Sequence, residues 1–130
     1  RRRVVINIKN KSNPKEIAGS KKASLSCIPP YALIELGRVH EIGASKYGRF
    51  NWCDAGVTAS TYYDAIQRHI LAWYSGEETD DEDKMSHLSH IMACCAVLLD
   101  SQKLGIMNDD RPVNSTPVRP ILDQIKKDKT

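Results

Sequence analysis

The sequence predicts an all-α protein, a helical bundle that is completed by oligomerisation. Three stretches carry apolar residues at the three- and four-residue spacing of an amphipathic helix. These stretches are flanked by residues that favour helix ends. Pro30 precedes the first stretch, and Gly105 follows the third. The third stretch is apolar over a wide arc, which predicts burial on two sides, as in a bundle that also oligomerises. With 130 residues the chain is expected to form one domain with a modest core.

The first predicted helix lies between Pro30 and Gly48. Its apolar positions recur at helical spacing and are expected to face the core: Leu33, Leu36, Val39 and Ile42. Glu35 falls on or near the more polar side of this helix. A carboxylate there is usually only solvated, so Glu35 is a weak metal candidate taken by itself.

The second predicted helix runs from about Thr61 to Ser75, with Ser60 or Thr61 as its N-cap, and the third from near Ser86 to about Leu104. One stripe of the second helix is formed by Tyr62, Ile66, His69 and Trp73. The core face of the third helix is expected to consist of Leu88, Ile91, Cys95 and Leu98. A neighbouring stripe on the same helix contains His87, His90, Cys94 and Val97.

The flanking segments are less periodic. Residues 1–24 are interpreted as an N-terminal arm, residues 25–107 as the helical domain, and residues 108–130 as a C-terminal tail. Residues 49–60, RFNWCDAGVTAS, are expected to form a loop. The tail is expected to pack over the body or a partner and to end in a short helix from Pro120.

Composition excludes several classes of protein. No apolar run approaches the roughly 20 residues that span a membrane, and the basic start followed by VVINI does not resemble a signal peptide. The four cysteines form no CxxC pair, which favours reduced thiols and a cytoplasmic location. A net charge of +3 is too small to indicate nucleic-acid binding, although the run Arg1–Arg3 keeps a salt-dependent DNA-binding arm as a minor hypothesis.

The turn between the second and third helices is the chemically informative stretch. His87 and His90 share a helix face, and His69 lies on the facing helix. Carboxylates bind Mg²⁺ or Mn²⁺, and imidazole ligands favour Mn²⁺. An acidic turn between helices is also often only solvated, so both interpretations stay open. The turn contains six acids in seven positions: Glu77, Glu78, Asp80, Asp81, Glu82 and Asp83.

Residues suited to a phosphorylated substrate lie nearby in sequence. Lys46, Arg49 and Arg68 can neutralise phosphates. Lys22 is most simply a solvated side chain, with phosphate contact as the alternative. Trp52 either anchors a loop to the core or forms an aromatic wall for a nucleobase.

Three sequence blocks resemble a known family in their order and spacing. GASKYGRFNW at 43–52, DAIQRHILAWYSGE at 64–77 and HLSH at 87–90 are similar to the phage-associated dATP/dGTP diphosphohydrolases, MazG-like enzymes related to the MazZ proteins. The resemblance covers roughly residues 20–111. It implies an all-α, MazG-like fold that works as an oligomer, a dimer or tetramer. It also implies cleavage of a purine deoxynucleoside triphosphate to the monophosphate and pyrophosphate, which reshapes the purine pool during phage replication in the host cytoplasm.

The expected site residues combine what the resemblance implies with the residue chemistry above, on which Lys22 and Glu35 depend. The expected catalytic residues are Glu77, Asp80 and His87. The expected substrate-binding residues are Lys22, Lys46, Tyr47, Asn51, Trp52, Arg68 and His69. The expected ligands of Mg²⁺ or Mn²⁺ are Glu35, Glu77, Asp80, Glu82, His87 and His90.

This chain departs from the family pattern at the turn. The family commonly has acid-Ser-Gly before the first of these histidines, whereas this chain has residues 83–86, DKMS. The paired ExxE and ExxD motifs of MazG proteins are absent in that form, so the choice of acidic ligand stays open. The alternative function is a non-catalytic helical module that binds nucleotides or a protein, and metal-dependent pyrophosphate release separates the two.

Overall fold

The computed structural model describes residues 13–130 and is predominantly helical, which confirms the all-α prediction. Two two-residue strands, β1 (Val57–Thr58) and β2 (Met107–Asn108), pair in parallel, and a 3₁₀ turn covers Leu25–Cys27. The Arg1–Arg3 run and VVINI lie outside the described residues. The helices are α1 (Pro14–Gly19), α2 (Pro30–Tyr47), α3 (Asn51–Ala55), α4 (Ala59–Tyr74), α5 (His87–Leu104) and α6 (Val118–Asp128).

Helix α5 is the centre of the packing, because both α2 and α4 lie against it. The core between α2 and α5 contains Val39 and Ala93, with Leu36 and Ile42 packed at its edge. Met85, which immediately precedes α5, completes this cluster and is 4% exposed. The C-terminal end of the acidic turn is therefore anchored in the core.

Helices α2 and α5 have the predicted ends. Gly48 and Gly105, which follow α2 and α5, have positive φ angles of 93° and 71°, a backbone geometry that glycine adopts without steric cost. The Ser86 hydroxyl accepts a hydrogen bond from the amide of Leu88 and caps α5, as predicted.

The predicted N-cap of α4 is wrong. Neither Ser60 nor Thr61 is the capping residue; Thr58 precedes the helix without a side-chain cap. The amide of Ser60 instead donates to Asp110 Oδ1 at 2.9 Å. A carboxylate fifty residues along the chain thus satisfies the start of α4, and local sequence contains no signal for such a partner.

The segment 49–60 is not a simple loop. It contains α3, and it contains β1, whose Val57 is 8% exposed and pairs with Met107. Phe50 has a left-handed backbone with φ of 54°, and this reversal starts α3 directly after α2. Both elements are too short to produce a periodic pattern.

The predicted core faces are wrong in part. Leu33 is 55% and Leu88 is 41% exposed, and Cys95 is also exposed. Because α5 is apolar almost all round, periodicity could not select its inner face. Small side chains let the helices approach closely, and the buried residues of α5 are His87, Ser89, Ala93, Val97 and Ser101.

The C-terminal segment contains the expected short helix, which begins at Val118 rather than Pro120. Every side chain from 111 to 130 is exposed, so no residue in the range 13–130 buries the apolar residues of α6. Across residues 13–130, no helix has the length and apolar character that crossing a membrane requires.

Candidate functional site

Three histidines meet where α4 packs against the start of α5. His69 Nδ1 lies 2.8 Å from His87 Nδ1. The His69 ring also stacks on His90, with centroids 4.7 Å apart and planes inclined by 2°. The helical stripe on α4 and the HxxH spacing on α5 therefore bring these side chains together, as the sequence predicts.

The acidic turn adds a carboxylate to the two bonded imidazoles. Asp80 Oδ2 lies 4.0 Å from His69 Nδ1. One ligand atom each from His69, Asp80 and His87 lies within 4.8 Å of the other two. Two imidazoles and one carboxylate are a donor set that suits a transition-metal dication.

Two further carboxylates hold the histidine rings. His87 Nε2 is 3.0 Å from Glu77 Oε1, and His90 Nε2 is 2.9 Å from Asp83 Oδ2. An ionised carboxylate can only accept, so each Nε2 carries the proton and donates it. This fixes the tautomer and leaves the Nδ1 lone pair of His87 directed at His69, as outer carboxylates do for metal-binding histidines.

The acidic turn is closed by hydrogen bonds. The amide of Asp80 donates to the Met85 carbonyl, and the amide of Lys84 donates back to the Asp80 carbonyl, both at 2.8 Å. Asp80 Oδ1 accepts from the amide of Glu82 at 2.8 Å. Lys84 takes the left-handed conformation, with φ of 61°. The turn is therefore an ordered support that leaves Asp80 Oδ2 free to face His69.

The surroundings favour a neutral His69. Burial lowers its pKa, and the neighbouring His90 and His87 lower it further, against the opposing effect of Asp80. The pKa of Asp83 is also low: burial acts to raise it, but the hydrogen bonds from the Met85 amide and His90 outweigh this. A neutral imidazole is the protonation state that binds a metal.

Four of the six predicted metal ligands lie outside the group formed by His69, Asp80 and His87, and His69, which was predicted to bind substrate, belongs to it. Glu77 and His90 take part in the carboxylate–imidazole contacts with His87 and Asp83.

Glu82 and Glu35 are bonded elsewhere. Glu82 pairs with Lys46, whose Nζ is 2.7 Å from Glu82 Oε1, so a predicted metal ligand neutralises a predicted substrate residue. Glu35 is 7% exposed and accepts from Arg38 at 2.9 Å and from Ser89 Oγ at 3.4 Å. It lies across the α2–α5 contact, with its carboxylate engaged there.

A cleft of about 780 Å³ opens beside the histidines, a volume typical of small-molecule sites. Its walls include His90 at one end and the predicted substrate residues Tyr47, Asn51 and Trp52. The indole of Trp52 packs edge-on against Phe50, with centroids 5.4 Å apart. Residues 48–52, GRFNW, thus line the same cleft as His90, whereas His69 and His87 do not line it.

One face of α5 forms the floor of this cleft. His90, Cys94, Val97 and Asp100 all line it and are spaced three or four residues apart. Ten residues separate His90 from Asp100, which is about 15 Å along the helix axis. That length is comparable to an extended nucleoside triphosphate.

The remaining predicted substrate residues are exposed. Arg68 precedes His69 on α4, and no ion pair to it is found among residues 13–130. Lys22 lies between α1 and the 3₁₀ turn, without a side-chain hydrogen bond in the described part of the chain. The structure brings neither residue into the cleft wall.

Three residues of the site are not predicted from the sequence. Asp83 is one of the acids of the turn, but its position seven residues before His90 does not indicate the bond between them. Asp100 accepts from Trp52 Nε1 at 2.6 Å, across 48 positions of sequence. The ring centroids of His40 and Trp52 lie 5.8 Å apart, and His40 lines the cleft. His40 follows Leu36 by four residues and so shares its helix face, and this spacing indicates in the sequence that His40 faces inward.

Comparison with known proteins gives one family and one relative. The family model described as dATP/dGTP diphosphohydrolase, N-terminal, matches residues 12–111. A protein of Salmonella phage PMBT28 named dATP/dGTP diphosphohydrolase is 41% identical over 69 residues. That match covers 53% of this chain and 23% of the relative, so the chain spans less than a quarter of the relative's length. No solved structure matches the chain significantly. The family match extends over most of the chain and includes every histidine and acid of the cluster, and the chain therefore belongs to the dATP/dGTP diphosphohydrolase N-terminal family.

Proposed function

We propose that this domain hydrolyses dATP and/or dGTP to the deoxynucleoside monophosphate and pyrophosphate. The observation that supports this most directly is the continuity of the site, since His90 both stacks on His69 and lines the aromatic cleft. A nucleotide with its base at Trp52 would extend its phosphates along α5 toward the histidines. The family and the name of the phage relative supply the substrate class.

The donor set fits a divalent metal ion. His69, Asp80 and His87 each place one ligand atom within 4.8 Å of the other two, and the contact with Glu77 favours the tautomer that leaves the His87 Nδ1 lone pair available. Mixed imidazole and carboxylate donors favour Mn²⁺ over Mg²⁺. When bound, such an ion would neutralise phosphate charge and acidify a water molecule.

The protein side chains have separate tasks in this proposal. Asp80 and Glu77, the acids nearest the bonded histidines, are the proposed acceptors for the proton of the attacking water. Lys46 and Arg68 would neutralise the phosphates, for which Lys46 must leave Glu82. Trp52, Tyr47 and Asn51 would hold the base and sugar.

A second candidate is a non-catalytic helical module that binds nucleotides or a protein. The observation that favours it is the His69–His87 contact, because an Nδ1–H of His69 donating to His87 Nδ1 satisfies both rings without a metal. The same cleft could then hold a nucleotide without cleaving it.

We also propose a homo-oligomer, a dimer or tetramer, acting in the host cytoplasm during phage replication. Within the described residues the buried apolar side chains are few and mostly small: Val39, Val57, Ala59, Met85, Ala93 and Val97. Large apolar side chains such as Tyr31, Ile34 and Leu99 are more than half exposed. Association of subunits would bury them.

The test is pyrophosphate release from each of the four deoxynucleoside triphosphates with Mn²⁺, Mg²⁺ or EDTA. We expect release from dATP or dGTP that EDTA abolishes. Asp80→Asn should remove it, whereas Asp81→Asn, an exposed acid in the same turn, should retain it. No release from any nucleotide with either metal would contradict the proposal and favour the binding module.

A further inference from the structure

The Asp100 carboxylate lies at the opposite end of the cleft from His90. Asp100 lines the cleft, and its Oδ2 accepts a 2.6 Å hydrogen bond from Trp52 Nε1. Phe50 and His40 pack against the same indole. The hydrogen bond thus fixes the Asp100 carboxylate at the edge of the Trp52 indole, the ring on which a base would stack.

Asp100 has acceptor capacity that the protein does not use. A carboxylate offers about four lone-pair positions, and the indole N–H occupies one of them. Within residues 13–130, the hydrogen bond from Trp52 is the one that the Asp100 side chain receives. The remaining positions are available to a ligand in the cleft.

The two purines differ at the edge that would meet this carboxylate. Guanine presents two adjacent donors, its N1–H and its amino group, which match a carboxylate. Adenine presents one amino donor beside the N1 lone pair, which a carboxylate repels. Because the Asp100 side chain is exposed, the wrong base loses about the worth of one hydrogen bond to a charged group, less than the penalty of leaving a buried polar group unpaired.

We propose that Asp100, oriented by Trp52, selects guanine over adenine in this cleft. The assignment rests on the proposed function, since it takes the cleft to be the nucleotide site. It adds a specificity-determining residue and a base preference within the purine substrate class. Trp52 has two parts in it, stacking through its ring and positioning Asp100 through its N–H.

The experiment compares kcat/KM for dGTP and dATP in the wild type, Asp100→Asn and Trp52→Phe. We expect the wild type to favour dGTP by about 10-fold, the worth of one hydrogen bond to a charged group. In Asp100→Asn the amide oxygen can still accept from Trp52, while its NH₂ can donate to adenine N1. The dGTP/dATP ratio should therefore fall by about 10-fold or more.

Trp52→Phe keeps a stacking ring and removes the donor. We expect its dGTP preference to shrink through a higher KM for dGTP with little change in kcat, which separates positioning from chemistry. Asp64→Asn, an exposed acid on α4 outside the cleft, is the matched control and should leave the ratio unchanged. If Asp100→Asn does not fold, an unchanged ratio in Trp52→Phe overturns the assignment.

Binding of the α,β-methylene analogues of dGTP and dATP, measured by calorimetry, separates this inference from the proposed reaction. If the wild type cleaves neither nucleotide, the reaction fails but the ratio of binding constants still tests Asp100. Equal affinity of the wild type for the two analogues, or a ratio that Asp100→Asn does not alter, overturns the guanine assignment while hydrolysis can stand.

Discussion

Glu77 and Glu78 are neighbouring acids with different surroundings. Both side chains are exposed, but Glu77 Oε1 accepts from His87 Nε2 at 3.0 Å, whereas Glu78 makes no ion pair within residues 13–130. A sequence pattern of acids cannot distinguish them, because both belong to the same run. The contact with His87 gives Glu77 its proposed role.

Replacing Glu77 by Gln should weaken metal binding and activity by about 10- to 100-fold, the usual effect of losing an outer carboxylate on a metal-binding histidine. The amide can still accept from His87, but without the charge that favours the Nε2–H tautomer. Mn²⁺ titration followed by calorimetry measures this. Glu78→Gln is the control, and equal affinity of the two variants would contradict the role of Glu77.

The metal-free protein should lose thermal stability as the pH falls below about 6.5. Burial and the neighbouring imidazoles lower the pKa of His69 in the folded state below its ordinary value of 6.5. The unfolded chain then binds the proton more readily, so stability is full above that pH and declines toward the folded pKa. Melting temperatures in EDTA from about pH 7.5 to 5 measure the decline.

His69→Asn provides the comparison for the pH profile. This variant has no imidazole to protonate at position 69, so its melting temperature should depend less steeply on pH over the same range. Parallel profiles of the wild type and the variant would show that His69 does not cause the decline.

At the scale of elements, the acidic turn and α5 form one supported unit. Met85 inserts between α2 and α5 at the end of the turn, and its carbonyl accepts from the Asp80 amide. The position of the Asp80 carboxylate thus depends on a hydrophobic contact made five residues later. The sequence shows a methionine between polar residues, which does not reveal this insertion.

Met85→Ala should lower the free energy of unfolding by about 2–4 kcal/mol, because it removes a buried side chain from a small core. It should also reduce metal affinity, since the turn that holds Asp80 loses its anchor. Chemical denaturation measures the first effect. Lys103→Ala, at an exposed position on α5, should change stability by no more than about 0.5 kcal/mol.

At the scale of the whole molecule, many large apolar side chains are exposed and are not buried in the small core. The apolar side chains on α6 and along the start of α2 are uncovered, among them Ile121, Ile125 and Tyr31. Large exposed apolar side chains in this number favour an interaction surface. The wide apolar arc of α5 also leaves apolar side chains exposed, since Leu88 and Leu99 lie outside the core.

We expect the purified chain to elute as a dimer or tetramer in size-exclusion chromatography with light scattering. The physical reason is the burial of apolar side chains that a single 14.6 kDa chain leaves in water. A monomer mass at every protein concentration tested would contradict the oligomer and leave these surfaces to another partner.

Local sequence determined the three long helices, most of their ends and the residues of the histidine cluster. Periodicity, capping residues and glycines act within a few positions, so a single sequence carries their signals. The sharing of a helix face by His87 and His90 follows from the same geometry. The facing position of His69 also follows once α4 and α5 are adjacent.

The tertiary structure alone decided which residues meet across long stretches of chain. The Asp110 cap on α4, the Trp52–Asp100 bond and the choice of inner face on α5 each depend on packing between distant segments. It also separated Glu77 and Asp83, which hold histidines, from Glu82, which pairs with Lys46. Identical side chains in one acidic run acquire different tasks because each meets a different neighbour.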